Sequence, residues 1–546
     1  MILCFFCWIP ILPIVSSELK NNGTIPKDFI FGSSTSAYQS EGAWNVDGKG
    51  ESIWDNFTHR VPSPILNGDT GDIAANSYYK YKEDIRLAAD LGLNVYRFSI
   101  SWTRILPTGY SNEINQRGLN HYKEVIQEIL RYNMTPVVTL YHWDLPQRLF
   151  NDGIHWTNVS LVEHFVNYAR IVINHLPEVG IWLTLNEPKQ ICRLGYGIGV
   201  NAPGIRGDGT LEYQCAYVVA KVHAAVYHMY KEDFPNYKAK MSLSIDCQWI
   251  SPLTDSSNDI AAAERQINFE CGMYFHPIFK GDWPEILKLR IKERSEAENL
   301  NKSRLPEFTE AEMNYINGTY DFMALNHYYT TFTSDGDEAP FNETGYDSDI
   351  RIKDYFDSIM PEGIYKVLQW ITKEYGHHEI LLTEIGTSDL GTDLNDIDRE
   401  DYFADYICQI REAMDDGINI VGLLFWSFID NLEWIYGYGI RYGLYYIDFK
   451  DPNLVRQPKK SVQFIHDLIE TRHLHCERPR RIWPREQLRA TIPRTNVIPT
   501  SNDHLKPIGF VEDQTPLKIY DTAPIMDYGN AEELLESDDH YLAFYD

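Results

Sequence analysis

Short apolar runs alternate with longer amphipathic segments along most of this chain. The apolar runs are Phe29–Gly32, Val95–Ile100, Thr135–Leu140, Ile181–Leu185, Ala239–Ile245, Asp321–Leu325, Ile380–Thr383 and Ile420–Phe425. They are continuous rather than alternating, as parallel strands covered on both faces require. Between the second and third runs, Tyr122, Val125, Ile126, Ile129 and Leu130 recur at helical spacing and predict one apolar helix face. Eight strands with helical crossovers predict an α/β protein built as a single (β/α)8, or TIM, barrel.

The two ends of the chain break this pattern. Residues 1–17 carry no charged side chain and hold one proline-broken apolar stretch followed by Ser16 and Ser17, which predicts a cleaved secretory signal peptide. A basic n-region is missing from it, and a buried N-terminal segment is the alternative. The barrel is expected to occupy residues 18–476 and to close near Leu468. Residues 477–546 sustain no strand or helix period, begin rich in arginine and proline, and end acidic, so they read as a low-order, disordered C-terminal extension. Outside the leader no apolar stretch is long enough to span a membrane.

Export agrees with further features. Asn22, Asn56, Asn158, Asn301, Asn317 and Asn342 each head an Asn-X-Ser/Thr sequon. Asn133 heads another, but Pro136 directly after it makes it a poor acceptor. Cys4 and Cys7 would leave with the leader, and Cys192, Cys215, Cys247, Cys271, Cys408 and Cys476 would remain. No CxxC pair survives, which argues against zinc, and no metal or cofactor is expected. An oxidising compartment would allow one or two disulfides, Cys192 with Cys215 being the favoured pair and buried free thiols the alternative.

The formal charge of -29 excludes the phosphate-binding logic of a nucleic-acid partner and suits a neutral small-molecule substrate. Aromatic residues make up 13% of the chain, enough to fill a large core and still furnish flat apolar platforms for a sugar ring. The candidate chemistry lies where a barrel enzyme keeps it, at the C-terminal ends of the strands. Arg97 is late in the second strand, and His142-Trp143 follow the third. Asn186-Glu187 follow the fourth, Asn326 and Tyr328 the sixth, Glu384 the seventh, and Trp426 the eighth. A carboxylate at the end of a buried strand is costly unless the site needs it. Two of them, Glu187 and Glu384, suggest the acid and the nucleophile of a sugar-cleaving enzyme.

With those positions assigned, the chain resembles the family 1 glycoside hydrolases, the retaining β-glucosidase group, from about Phe29 to Ile469. The resemblance is carried by FGSSTSAYQSEGAW, YRFSISWTRI, TLYHWDLP, TLNEP, FWSFIDNLEW and RYGLYYIDF. It implies Glu187 as general acid/base and Glu384 as nucleophile, with Arg97 and Tyr328 lowering the Glu384 pKa and Asn186 binding the sugar 2-hydroxyl. It further implies that Gln39, His142 and Glu433 grip the 3-, 4- and 6-hydroxyls, with Trp426 and Trp434 as platform and wall and Trp143 and Asn326 in the same substrate site. Such a set favours glucose, galactose or fucose, because the Ser/Lys/Tyr arrangement of the family's 6-phospho enzymes is missing. Two positions depart from the family pattern. Ile385 stands where an asparagine usually follows the nucleophile, which removes a polar anchor, and Phe356 stands where a tryptophan commonly stacks on the aglycone.

The expected function is therefore a secreted retaining exo-β-glucosidase, working through a covalent glycosyl-enzyme intermediate. A myrosinase-like thioglucosidase and a non-catalytic, klotho-like binding protein are the rivals. Both glutamates are present, whereas the binding group typically lacks one or both.

Overall fold

The computed structural model describes residues 24–337, 344–391 and 393–476. The expectations for residues 1–17, for Asn22 and Asn342, and for the extension 477–546 lie outside the described residues. Strands β1 (Ile30–Ser34), β2 (Val95–Ser99), β3 (Thr135–Thr139), β4 (Ile181–Asn186), β5 (Lys240–Asp246), β6 (Met323–Asn326), β7 (Ile380–Ile385) and β8 (Ile420–Phe425) form a closed parallel barrel. Each pairs with its sequence neighbour, and β8 returns to β1 with Ile30 opposite Gly422. That closure needs glycine at 422, since a Cβ there would lie 2.3 Å from the Ile30 side chain.

Strand side chains alternate between faces, and this sorts the barrel into layers. Val95, Val137, Leu183, Ala324, Leu381 and Leu424 form an apolar cluster inside the barrel, separate from the main core between strands and helices. Two residues on, the same faces of β2, β3, β6 and β7 present Arg97, Thr139, Asn326 and Thr383. The interior thus turns from apolar to polar toward the C-terminal mouth.

The helical face predicted before β3 lies on the helix Gln116–Arg131, whose Tyr122, Val125, Ile126 and Ile129 are buried. Leu130 does not belong to that face: it is 39% exposed, one step past the apolar stripe. A three-stranded accessory sheet, Trp249–Pro252, Thr330–Asp335 and Ile352–Ser358, went unread in the sequence. Its first two strands follow directly from the ends of β5 and β6, so it stands on the mouth side of the barrel.

The last helix, Lys460–Thr471, buries Leu468, and the Ile25 amide donates to the Arg472 carbonyl at 2.8 Å to join the ends of the barrel domain. Among the described residues three disulfides are present rather than one or two: Cys192–Cys215, Cys247–Cys271 and Cys408–Cys476. Among the described residues no helix is long and apolar enough to cross a membrane.

Candidate active site

Backbone irregularities at the mouth decide which side chains turn inward. The β4–β5 register shifts between Leu183 and Asn186, and the β7–β6 register between Leu382 and Glu384. Such bulges re-aim side chains. They let Thr383 and Glu384, although adjacent, both join the interior network. Glu187 then leaves β4 in the left-handed region at φ 47°, with its amide donating to the Ser244 carbonyl of β5 at 2.8 Å. Holding a non-glycine residue there stores strain, a frequent property of functional positions.

Glu384 is 2% exposed and gripped at both oxygens. Arg97 Nη1 donates to Oε1 at 2.5 Å, and the Tyr328 hydroxyl donates to Oε2 at 2.5 Å. Arg97 is itself aimed by the Thr139 hydroxyl at 3.2 Å, the Thr383 carbonyl at 3.0 Å and Asn186 Oδ1 at 2.7 Å. Asn326 Nδ2 donates to Glu187 Oε1 at 2.8 Å and to Asn186 Oδ1 at 3.2 Å, the same oxygen that receives Arg97 Nη2. One network therefore runs from Glu187 through Asn326, Asn186 and Arg97 to Glu384, and the two glutamates share one site. Asn326 is oriented through its Oδ1 by the hydroxyls of Ser244 at 2.8 Å and Thr383 at 2.7 Å.

The electrostatics separate the two acids. Burial, the Glu384 charge and Asp246 push Glu187 well above the ordinary carboxyl range, against weaker opposition from Asn326 and Lys189. Burial also raises Glu384, but Arg97, Tyr328 and Asn326 pull it back. The sequence-based expectation of a lowered Glu384 pKa is thus corrected, because desolvation outweighs its three partners. The ordering survives: Glu384 ionises first and Glu187 keeps its proton.

The remaining predicted residues surround this pair. Asn186 Nδ2 lies 3.3 Å from His142 Nε2, and burial beside Arg97 keeps that imidazole neutral. The His142 ring is parallel to Trp426 at 5.7 Å and to Trp434 at 5.9 Å. Trp143 stacks on Trp434 at 4.2 Å but uses its indole N–H on the Asn186 carbonyl at 3.0 Å, so it braces the acid's strand end. Gln39 accepts from the Ser36 hydroxyl at 2.6 Å and donates to Glu433 Oε2 at 3.3 Å. Burial and the nearby Glu384 push Glu433 up to about 8.

Both departures from the family pattern find a place. Ile385 is fully buried, and its carbonyl receives the Trp426 amide at 2.8 Å, so a main-chain bond ties β7 to β8 there. The following Gly386 admits that approach, since a Cβ would lie 2.2 Å from the Trp426 carbonyl oxygen. Phe356 sits on the accessory sheet opposite Phe332, with ring centroids 5.1 Å apart. It reaches the mouth region by way of that sheet rather than from a barrel strand.

Sequence reasoning missed Asp430, which anchors the FWSFIDNLEW loop by accepting from Arg441 at 2.8 Å and Lys459 at 3.0 Å. It also missed Asp246, the last residue of β5, which the strand-end rule would have flagged had the strand been read one residue further. Of the sequons within the described residues, Asn133, Asn301 and Asn317 are exposed. Asn56 is half-buried, and Asn158 spends its side-chain N–H on the Gly153 carbonyl at 2.8 Å.

Comparison with known proteins agrees with this geometry. The chain is 40% identical over 469 residues to myrosinase 1 of Brevicoryne brassicae, covering 82% of this chain and 98% of that protein. The structure of the aphid myrosinase superposes with a TM-score of 0.77 at 39% identity, over 82% of this chain and 99% of the other. Human (Homo sapiens) lactase/phlorizin hydrolase is 39% identical over 84% of this chain, which spans only 24% of that longer protein. A mutant rice β-glucosidase in a covalent complex with glucose superposes with a TM-score of 0.77 at 32% identity, over 82% of this chain and 98% of the other. The family model for glycosyl hydrolase family 1 matches residues 21–474. With a closed (β/α)8 barrel and two buried glutamates joined by one hydrogen-bond network at its mouth, this chain belongs to glycosyl hydrolase family 1 and is a glycoside hydrolase.

Proposed function

We propose that this glycoside hydrolase is a secreted, retaining exo-β-glucosidase that works by double displacement. The observation that carries the reading is one buried hydrogen-bond network, which runs from Glu187 through Asn326, Asn186 and Arg97 to Glu384 and so places both carboxyls in one site. Retaining chemistry needs carboxyls about 5–5.5 Å apart, one to attack and one to protonate.

In the first step a Glu384 oxygen attacks the anomeric carbon. The bond from that carbon to the leaving oxygen breaks, and Glu187 gives its proton to the leaving oxygen. The charge on Glu384 is then consumed in the ester. One cause of the raised Glu187 pKa disappears with it, so Glu187 can take a proton from water as the water attacks the same carbon. Hydrolysis frees the sugar with its β configuration and restores both carboxyls. Asn186, fixed by Arg97 and Trp143, is the group to bind the 2-hydroxyl. Gln39, Glu433 and the Trp143–Trp434 stack suit the far edge of one terminal, unphosphorylated sugar.

A fluorinated β-glucoside that traps the intermediate tests this, with mass spectrometry locating the label. Label on Glu384, and its loss in Glu384→Gln together with turnover, is the expected result. Label on another residue, or full activity in Glu384→Gln, overturns the assignment.

The thioglucosidase reading is favoured by the 40% identity to the aphid myrosinase. Paired O- and S-aryl glucosides decide between the two, and a higher kcat/KM for the S-linked member would reverse the order of preference. Secretion is supported by the three disulfides, which pair every cysteine among the described residues. A mature chain beginning near residue 18 is expected, and an exported chain that keeps Met1 would count against the leader.

A further inference from the structure

The acid step has a charged neighbour that double displacement does not by itself require. Asp246 ends β5 two residues beyond Ser244, on the same strand face. The Ser244 carbonyl receives the Glu187 amide at 2.8 Å. Asp246 itself stands in register with Asn326, whose side chain donates to Glu187 Oε1 at 2.8 Å. Asp246 and Glu187 are therefore level with each other at the mouth, on adjacent strands.

Asp246 is 1% exposed and held at one oxygen only. Lys189, two residues after Glu187, pairs with Asp246 Oδ2 at 3.0 Å and with Glu270 Oε2 at 3.2 Å. Gln190 Nε2 donates to the same Oδ2 at 3.0 Å. Asp246 Oδ1 has no hydrogen-bond partner among the described residues. One ammonium thus serves two carboxylates, and the cluster leaves uncompensated negative charge beside the acid.

We propose that Asp246, restrained by Lys189, is a positioning residue that keeps the proton on Glu187 until the leaving oxygen takes it. The proposal rests on Glu187 being the acid/base. The charged and polar groups facing Glu187 include Glu384 from β7, Asn326 from β6, Asp246 from β5, Lys189 from the helix Pro188–Cys192 and the Tyr328 phenol from the segment after β6. Arg97 acts on Glu384, Tyr328 donates to Glu384 while also feeling the Glu187 charge, and Glu270 acts through Lys189. Glu384 and Asp246 favour the protonated acid, while Lys189 and Asn326 favour the carboxylate. Lys189 therefore works as a counterweight, whose removal and the removal of Asp246 have opposite signs.

The test is the pH profile of kcat/KM for an alkyl β-glucoside, whose poor leaving group needs the proton. Asp246→Asn removes a negative charge beside Glu187, so the alkaline limb moves down, on the order of one pH unit for a charge this close. Above the limb that displacement is about a tenfold loss. Lys189→Met moves the same limb up, and Asp246→Glu restores the wild-type limb. The acid limb, set by Glu384, stays in place.

A pair that merely anchors the helix would lower stability without moving the limb. An unmoved limb, or a shift of both variants in one direction, overturns the proposal. If Asp246→Asn fails to fold, the upward shift in Lys189→Met decides alone. Failure of the underlying functional reading looks different, because the wild-type chain would then hydrolyse no β-glucoside and take no label on Glu384.

Discussion

At the scale of single residues, two glutamates of the same chemistry receive different electrostatic surroundings from their partners. Glu384 meets a guanidinium and a phenol, whereas Glu187 meets one amide and two like charges. On the proposed double displacement, replacing Glu187 with alanine removes proton donation but leaves the grip on Glu384 intact. An alkyl β-glucoside should then lose about 10²–10⁴-fold in kcat/KM, whereas a dinitrophenyl β-glucoside should lose far less in the glycosylation step. Equal losses for both substrates would remove Glu187 from the acid role. The placement of both glutamates at strand ends was legible in the sequence, because TLNEP and LLTE each end an apolar run on a carboxylate. The net pKa direction of Glu384 was not, because it is a balance between burial and three partners drawn from β2, β6 and the segment after β6.

At the scale of elements, the loop after β8 depends on a buried ion cluster for its shape. Asp430 takes Arg441 on one oxygen and Lys459 on the other, and also receives the Gly443 amide at 3.0 Å. The same loop carries Asn431, Leu432 and Glu433, all of which accept from Gln39. Asp430→Ala leaves the buried Lys459 and the partly buried Arg441 each short of a partner and should cost about 3–5 kcal/mol of stability. It should also raise KM for a β-glucoside, because Glu433 and Trp434 lose their support. A urea midpoint and KM both unchanged would show that the loop holds itself.

Strand positions were readable to within about two residues because buried parallel strands have a continuous apolar signature. The accessory sheet was not. Its strands Thr330–Asp335 and Ile352–Ser358 are rich in threonine and acidic residues and resemble loop in composition. Leu130 was misplaced for a related reason: periodicity marks a stripe but not its edge.

At the scale of the whole molecule, the described residues hold three disulfides that cross-link segments 23, 24 and 68 positions apart. Cys408–Cys476 spans 68 residues and fastens the helix Ile397–Asp415 to the segment after the last helix. Closing a loop of that length restricts the unfolded chain by about 4 kcal/mol, against about 3 kcal/mol for each of the two shorter loops. Replacing Cys408 and Cys476 together with serine should therefore lower the denaturation midpoint more than replacing either other pair. A smaller drop than for Cys192 and Cys215 would show that strain or residual structure outweighs loop length. The pairing Cys192–Cys215 was foreseeable from the sequence, but the other two were not, since six cysteines admit many pairings and spacing alone does not choose.

The order of apolar runs and the carboxylates that end two of them were enough to determine a (β/α)8 barrel with paired acids at its mouth. Both are properties of local pattern, and a closed parallel sheet is the architecture that covers eight such runs on both faces. The tertiary structure alone decided how the acids differ. Charge, burial and hydrogen bonding act through space, and the groups that set the proton on Glu187 come from residues 189, 246, 326 and 384, which meet only when the barrel closes.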